Sequence, residues 1–193
     1  MTTSKFHKKL QIEIYRPVFT RMKKQVLSSD QEEGGIFIGR VQNHVDVCTL
    51  QILSYIDSGP MKDHSSAHLH PDRFYQYNVF RVLERFDPSI EHLGAWHSHH
   101  CNGSKMLSGP DIRGYHVVVN HPDYNPDWYF VLLVTGLREH QLNFRCFLFR
   151  RDSHLYIEIP RDHCRVVNQR HGLEGILLGL ERLVNKKRSL KSK

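Results

Sequence analysis

Disulfide frameworks, membrane spans and repeats are all missing from this 193-residue chain. Its four cysteines, Cys48, Cys101, Cys146 and Cys164, stand far apart with no C-x-x-C pair. That scatter argues against a stapled secreted scaffold and predicts free thiols in a reducing cytoplasm. The longest apolar run, "WYFVLLV", is too short to cross a bilayer. The stretch "MTTSKFHKKLQIEI" lacks the apolar segment of a secretory signal. No H-E-x-x-H, G-x-S-x-G or G-x-x-x-x-G-K-[ST] occurs, which removes the common hydrolase and nucleotide-binding signatures.

What is present fits one globular domain. Hydrophobic content of 39% and charged content of 24% are those of an ordinary folded chain, long enough to bury one core. The net charge is +7, from 27 basic and 20 acidic residues. Lys186, Lys187, Arg188, Lys191 and Lys193 fall in the last eight residues without an acid among them. Residues 1–183 therefore read as the domain and 184–193 as a solvated basic tail. No aromatics interleave with these charges, so neither nucleic acid nor a membrane is the expected partner.

"LQIEIY" alternates as a strand, and "RPVFTRMKKQVLSS" places Val18, Met22 and Val26 on one helical face. "GGIFIGRV" and "VDVCTLQILSYI" read as strands joined by a turn at Gln42–His44. "SGPMKDH" reads as a loop. Pro71 is expected in the first turn of the next helix, with Phe74, Tyr77 and Val82 on its apolar stripe. "EHLGAWHSH" is strand-like and "PDIRGYHVVVNH" helical. "WYFVLLVTG", "LNFRCFLFRR" and "HLYIEI" follow as strands, and "LEGILLGLERLVNKK" as an amphipathic helix. The order is not a strict βαβ alternation. It predicts an α/β (α+β) domain with a mixed, mostly antiparallel sheet flanked by helices and closed by a C-terminal helix.

The chemistry concentrates in "WHSHHCNGSKMLSGPD", residues 96–111. Residues two apart on a strand share a face, so His97 and His99 aim together while Trp96, Ser98 and His100 point away. Two converging imidazoles make half of a zinc site. The same spacing recurs at His68 and His70, where no completing carboxylate follows, and that pair reads as polar strand residues. Downstream, "SGPD" supplies Asp111 at a helix start, where Ser108 serves as N-cap. Capping and ligation are compatible, because a capped turn holds its carboxylate rigidly. Three protein ligands leave zinc an open position for water. A peptidase also needs a carboxylate that is not a ligand, and "DQEEGGIFIG" offers Glu32 and Glu33. The bare Gly34 and Gly35 beside them are expected to let a substrate backbone approach closely.

"EEGGIFIG", followed much later by "GAWHSHH" and Ser-x-x-Asp, resembles the JAMM metalloprotease motif of MPN-type domains. The resemblance covers roughly residues 8 to 160. It implies that His97, His99 and Asp111 bind one catalytic Zn2+, that Glu32 and not Glu33 is the general base, and that Ser108 stabilises the oxyanion. "WHSHH" is similar to bacterial forms encoded beside ubiquitin-like conjugation components, some of them antiphage systems. The implied activity is cleavage after the C-terminal glycine of a ubiquitin-like modifier. The implied partners are that modifier, its conjugates and E1/E2-like conjugation enzymes.

Three features depart from the family pattern. Eight residues separate His99 from Ser108 where seven are commoner, His100 replaces a proline, and Leu107 replaces another. His100 is expected to anchor the loop, and Cys101 to be a buried or idle thiol. Three rival readings are a non-catalytic MPN-type scaffold, a thiol hydrolase built on Cys101, and a nucleic-acid module driven by the basic tail.

Overall fold

The structure, a computed structural model, describes residues 9–138, 141–168 and 172–189. It is an α+β domain. Strand β1 (Lys9–Tyr15) leads into helix α1 (Arg16–Leu27), then β2 (Gly34–Asn43) and β3 (Val47–Asp57). A small hairpin, β4 (Asp63–His64) and β5 (Leu69–His70), precedes α2 (Arg73–Phe86) and β6 (Glu91–Ser98). Helix α3 (Gly109–Val119), β7 (Trp128–Arg138), β8 (Gln141–Arg150) and β9 (Tyr156–Ile159) follow. A 3-10 turn at Arg161–His163, β10 (Cys164–Val167) and α4 (Gly172–Ser189) end the described chain.

Eight strands form one sheet in the order β10-β1-β3-β2-β6-β7-β8-β9. The β10-β1, β1-β3 and β6-β7 pairs are parallel, and the other four are antiparallel. Alternation along β7 separates two cores. Phe130, Leu132 and Val134 pack with Val18, Met22 and Val26 of α1, Val79 and Leu83 of α2, and Leu173 and Leu177 of α4. Val131 and Leu133 pack on the other face with Val119, Ile112 and Tyr115 of α3. Full burial of each such side chain stabilises the fold by ~1.5–3 kcal/mol.

Helix α1 buries Val18, Met22 and Val26, the face that the periodicity predicts. Helix α2 differs. It starts at Arg73 with Asp72 as N-cap accepting from the Tyr75 amide, so Pro71 lies outside it. Gln76, Val79 and Leu83 are its buried residues, whereas Phe74 and Tyr77 are exposed. The buried stripe keeps helical spacing but lies on a different face of α2 from the expected Phe74, Tyr77 and Val82. Strand β5 falls on the His68–His70 stretch read as strand residues, whereas β4, at the end of the stretch read as a loop, and β10 were not anticipated, each being too short to show a period. Helix α4 continues to Ser189, through most of the basic segment expected to begin at 184, and residues 190–193 lie outside the described ones. Among the described residues no helix is long and apolar enough to cross a membrane.

One irregularity positions the site. Phe37 pairs with Gly94 and Ile38 with His92, so Leu93 is a bulged residue. Gly94 adopts φ 153°, and a Cβ there would meet the Phe130 carbonyl oxygen at 1.8 Å. The extra residue shifts the strand's phase, as bulges do. Leu93 and Trp96 thus both face the α1/α2 core, while Ala95 joins the opposite core and the His97 ring packs on Tyr115 of α3.

Candidate metal centre

His97 is in β6, and His99 extends it by one hydrogen bond, donating its amide to the Val134 carbonyl at 2.8 Å. Both rings are buried and point the same way. Their Nε2 atoms are 3.1 Å apart, and each lies 3.5 Å from Asp111 Oδ2. These three edges match the ~3.3 Å separation of donors that share a tetrahedral ion at 2.0–2.1 Å. Two imidazole nitrogens this close need a shared proton or cation between their lone pairs. The His97, His99 and Asp111 group could therefore hold a metal ion, and the donor set fits one. His68 and His70 are not part of it: they are exposed, with His68 Nε2 3.4 Å from Asp63 Oδ1.

Asp111 arrives through a capping box. Its Oδ2 accepts from the Ser108 amide at 2.7 Å, and Ser108 Oγ accepts from the Asp111 amide at 3.2 Å. Cap and donor are thus the same carboxylate. Burial works to raise the Asp111 pKa, but hydrogen bonds from His97 and His99, the His97 charge and the Ser108 bond hold it far below the carboxylate range. For His99, burial works downward, and the Asp111 hydrogen bond with the Glu32 and Asp111 charges outweighs it, leaving the ring more basic than usual. Ser108 is exposed, and its hydroxyl keeps its own proton to donate.

The two glutamates before β2 part company. Glu33 accepts from Lys62 Nζ at 2.6 Å and from Gln25 Nε2 at 2.7 Å, a buried structural pair. Glu32 instead turns to the donors, with Oε1 3.7 Å from His99 Nε2 and only 4% of its surface exposed. Burial pushes the Glu32 carboxyl up, against the lowering by His99 and His97. The expected role of the glycines is corrected here. Gly34 and Gly35 are buried, and a Cβ on Gly34 would meet the Trp96 carbonyl at 2.7 Å and His97 Cβ at 3.2 Å. A Cβ on Gly35 would meet the Ile56 carbonyl at 2.4 Å, so the bareness of the two glycines lets β2 approach β6 and β3 and offers no face to a substrate.

The long loop from His100 to Leu107 is pinned at both ends. His100 turns away from the donors, with Nδ1 3.0 Å from Ser98 Oγ and Nε2 2.9 Å from the Ser29 carbonyl. Leu107 is buried in the α3 core, and Arg145 donates to the Lys105 carbonyl at 2.8 Å while pairing with Glu158. Cys101 donates to the Ser66 carbonyl at 3.4 Å, and burial raises its thiol pKa, which does not suit a nucleophile.

Sequence reading missed two residues here. Asn102 Nδ2 donates to Glu32 Oε1 at 2.9 Å and to the Ser66 carbonyl at 3.0 Å. Tyr115 Oη lies 2.7 Å from His97 Nδ1. Tyr115 could have been found, since it is four residues past Asp111 and so on the same helical face. The Asn102 contact spans 70 positions and leaves no local trace.

No protein-family model and no curated protein matches the sequence. The chain is similar in fold to the solution structure of protein DSY2949 from Desulfitobacterium hafniense. That likeness has a TM-score of 0.58 at 16% identity and covers 83% of this chain and 96% of that one.

Proposed function

We propose that this protein is a zinc-dependent isopeptidase of the JAMM/MPN type. Its reaction would be hydrolysis of the bond after the C-terminal glycine of a ubiquitin-like modifier, in deconjugation or precursor processing. One observation carries the reading: Glu32, a buried carboxylate outside the donor set, stands 3.7 Å from a donor nitrogen. A three-donor His-His-Asp set with a free carboxylate beside it has the composition of hydrolytic zinc sites, whereas structural zinc sites are closed by four ligands. The intact donor set gives no support to a non-catalytic scaffold.

Bound zinc would supply Lewis acidity to the scissile carbonyl and acidify water. The chain's own groups do the rest. Glu32 accepts the proton from the attacking water and returns it to the departing amine. The Ser108 hydroxyl donates to the carbonyl oxygen as negative charge develops there, and such a donor lowers the barrier by ~3–4 kcal/mol. Tyr115 fixes the His97 ring so that Nε2 keeps its lone pair, and Asn102 fixes the Glu32 carboxylate. The partners in this reading are a ubiquitin-like protein, its conjugates and E1/E2-like conjugation enzymes of a bacterial antiphage system, in the cytoplasm.

The test combines metal analysis with cleavage of ubiquitin-like fusions. The reading requires one zinc per chain and cleavage abolished by chelator and restored by zinc. Cleavage that survives complete metal removal would refute it.

A further inference from the structure

Cys146 lies in the middle of β8, near one end of the sheet order, and Cys164 begins β10, at the other end. Their sulfurs are nevertheless 3.2 Å apart, so the sheet curls until its two ends meet across this thiol pair. Both belong to the core shared with α1, α2 and α4. Cys146 is 2% exposed, while Cys164 is half-buried. A cavity of about 290 Å³ opens beside Cys146, lined also by Phe144, Arg145, Glu158, Pro160 and Arg161.

We propose that Cys146 and Cys164 form a reversible, peroxide-sensitive disulfide that locks the two ends of the sheet together. The geometry requires little motion: the sulfurs must close from 3.2 Å to the ~2.05 Å of a disulfide. Neighbouring sulfurs on separate strands place a resolving thiol beside the reacting one, the arrangement that diverts oxidation into a bridge. The more exposed Cys164, as thiolate, attacks one oxygen of hydrogen peroxide and becomes a sulfenic acid, the other oxygen leaving as hydroxide. The hydrogen bond with Cys164 and burial push the Cys146 thiol pKa up, and contact between the two sulfurs offsets this. The Cys146 sulfur attacks the Cys164 sulfur, its proton passes to the sulfenic oxygen, and that oxygen leaves as water. In sum, two thiols and one peroxide give one disulfide and two waters, and a small dithiol reverses it. The link spans 18 positions, from β8 through β9 and the 3-10 turn to β10. It constrains the unfolded chain and ties down the strand that precedes α4.

The experiment treats the reduced full-length protein with hydrogen peroxide, alkylates the remaining thiols and maps the peptides by mass. The expected product lacks two hydrogens and joins the Cys146 and Cys164 peptides. It melts about 5–10 °C higher than the reduced form, and dithiothreitol reverses both changes. Cys164→Ser, at the half-buried position, is expected to fold and to lose the bridge and the shift. Cys146→Ala provides the same check from the buried side. Bridging of other cysteines, separate over-oxidation of Cys146 and Cys164, or continued alkylation of both would overturn the proposal. None of these readouts uses zinc or peptidase activity, so the outcome is independent of the function proposed above.

Discussion

Tyr115 Oη and His97 Nδ1 share a 2.7 Å hydrogen bond, made by the same helix that delivers Asp111. Burial pushes the Tyr115 hydroxyl well above its usual range, so it stays protonated; with His97 Nε2 turned to a metal, Nδ1 carries the ring proton and donates it to the tyrosine oxygen. Tyr115→Phe is expected to fold normally and to bind zinc about 10–100-fold more weakly. Calorimetric zinc titration checks this, and equal affinities would remove Tyr115 from the site.

Glu32 and Asn102 should separate chemistry from metal binding. Glu32→Gln is expected to retain zinc and lower turnover at least about a hundredfold. Asn102→Ala frees the carboxylate without deleting it, so kcat should fall about tenfold or more while KM and zinc content hold. Zinc analysis beside steady-state kinetics on a cleavable fusion distinguishes these outcomes, and full activity in Glu32→Gln would discard it as the base.

Protons and metal compete for the same atoms. The raised His99 pKa stabilises the metal-free fold at acid pH, and that contribution is lost as pH rises through it. The depressed Asp111 pKa contributes stability above the ordinary carboxylate range and loses it only in stronger acid. Zinc needs His99 neutral, so its affinity should climb with pH across the same range in which the metal-free fold weakens. The gain in melting temperature on adding zinc is therefore expected to grow from about pH 6 to about pH 8. Thermal unfolding with and without zinc measures it, and a pH-independent gain would contradict the coupling.

Gly94→Ala tests the bulge. Its Cβ would collide with the Phe130 carbonyl in a backbone conformation that side chains rarely adopt. The substitution should cost about 3 kcal/mol or more, read from urea denaturation, and reduce zinc content by shifting His97 out of register. A stable variant with normal zinc would show that the bulge does not place the ligand.

Much of the site was legible because its donors are clustered in sequence. His97 and His99 are two apart and share a strand face, and a cap motif puts Asp111 at the start of the next helix; that the three meet was implied by the resemblance and is realised by the packing of α3 on the sheet. Less visible was the core stripe of α2, where the apolar Phe74 and Tyr77 face solvent and the polar Gln76 is buried. Gly34 and Gly35 look like an open approach to a substrate until the neighbouring strand is in place.

Local periodicity and capping determined the α+β class, the buried face of α1, the shared direction of His97 and His99 and the helix start at Asp111, since each depends on residues within a turn or two. The resemblance pointed to Glu32 over Glu33, and tertiary structure supplied the physical difference between them: Glu33 pairs with Lys62, whereas Glu32 faces His99. Tertiary structure alone decided the Asn102 contact and the Cys146–Cys164 pair. Their partners come from distant elements, and only the packing of the sheet brings those elements together.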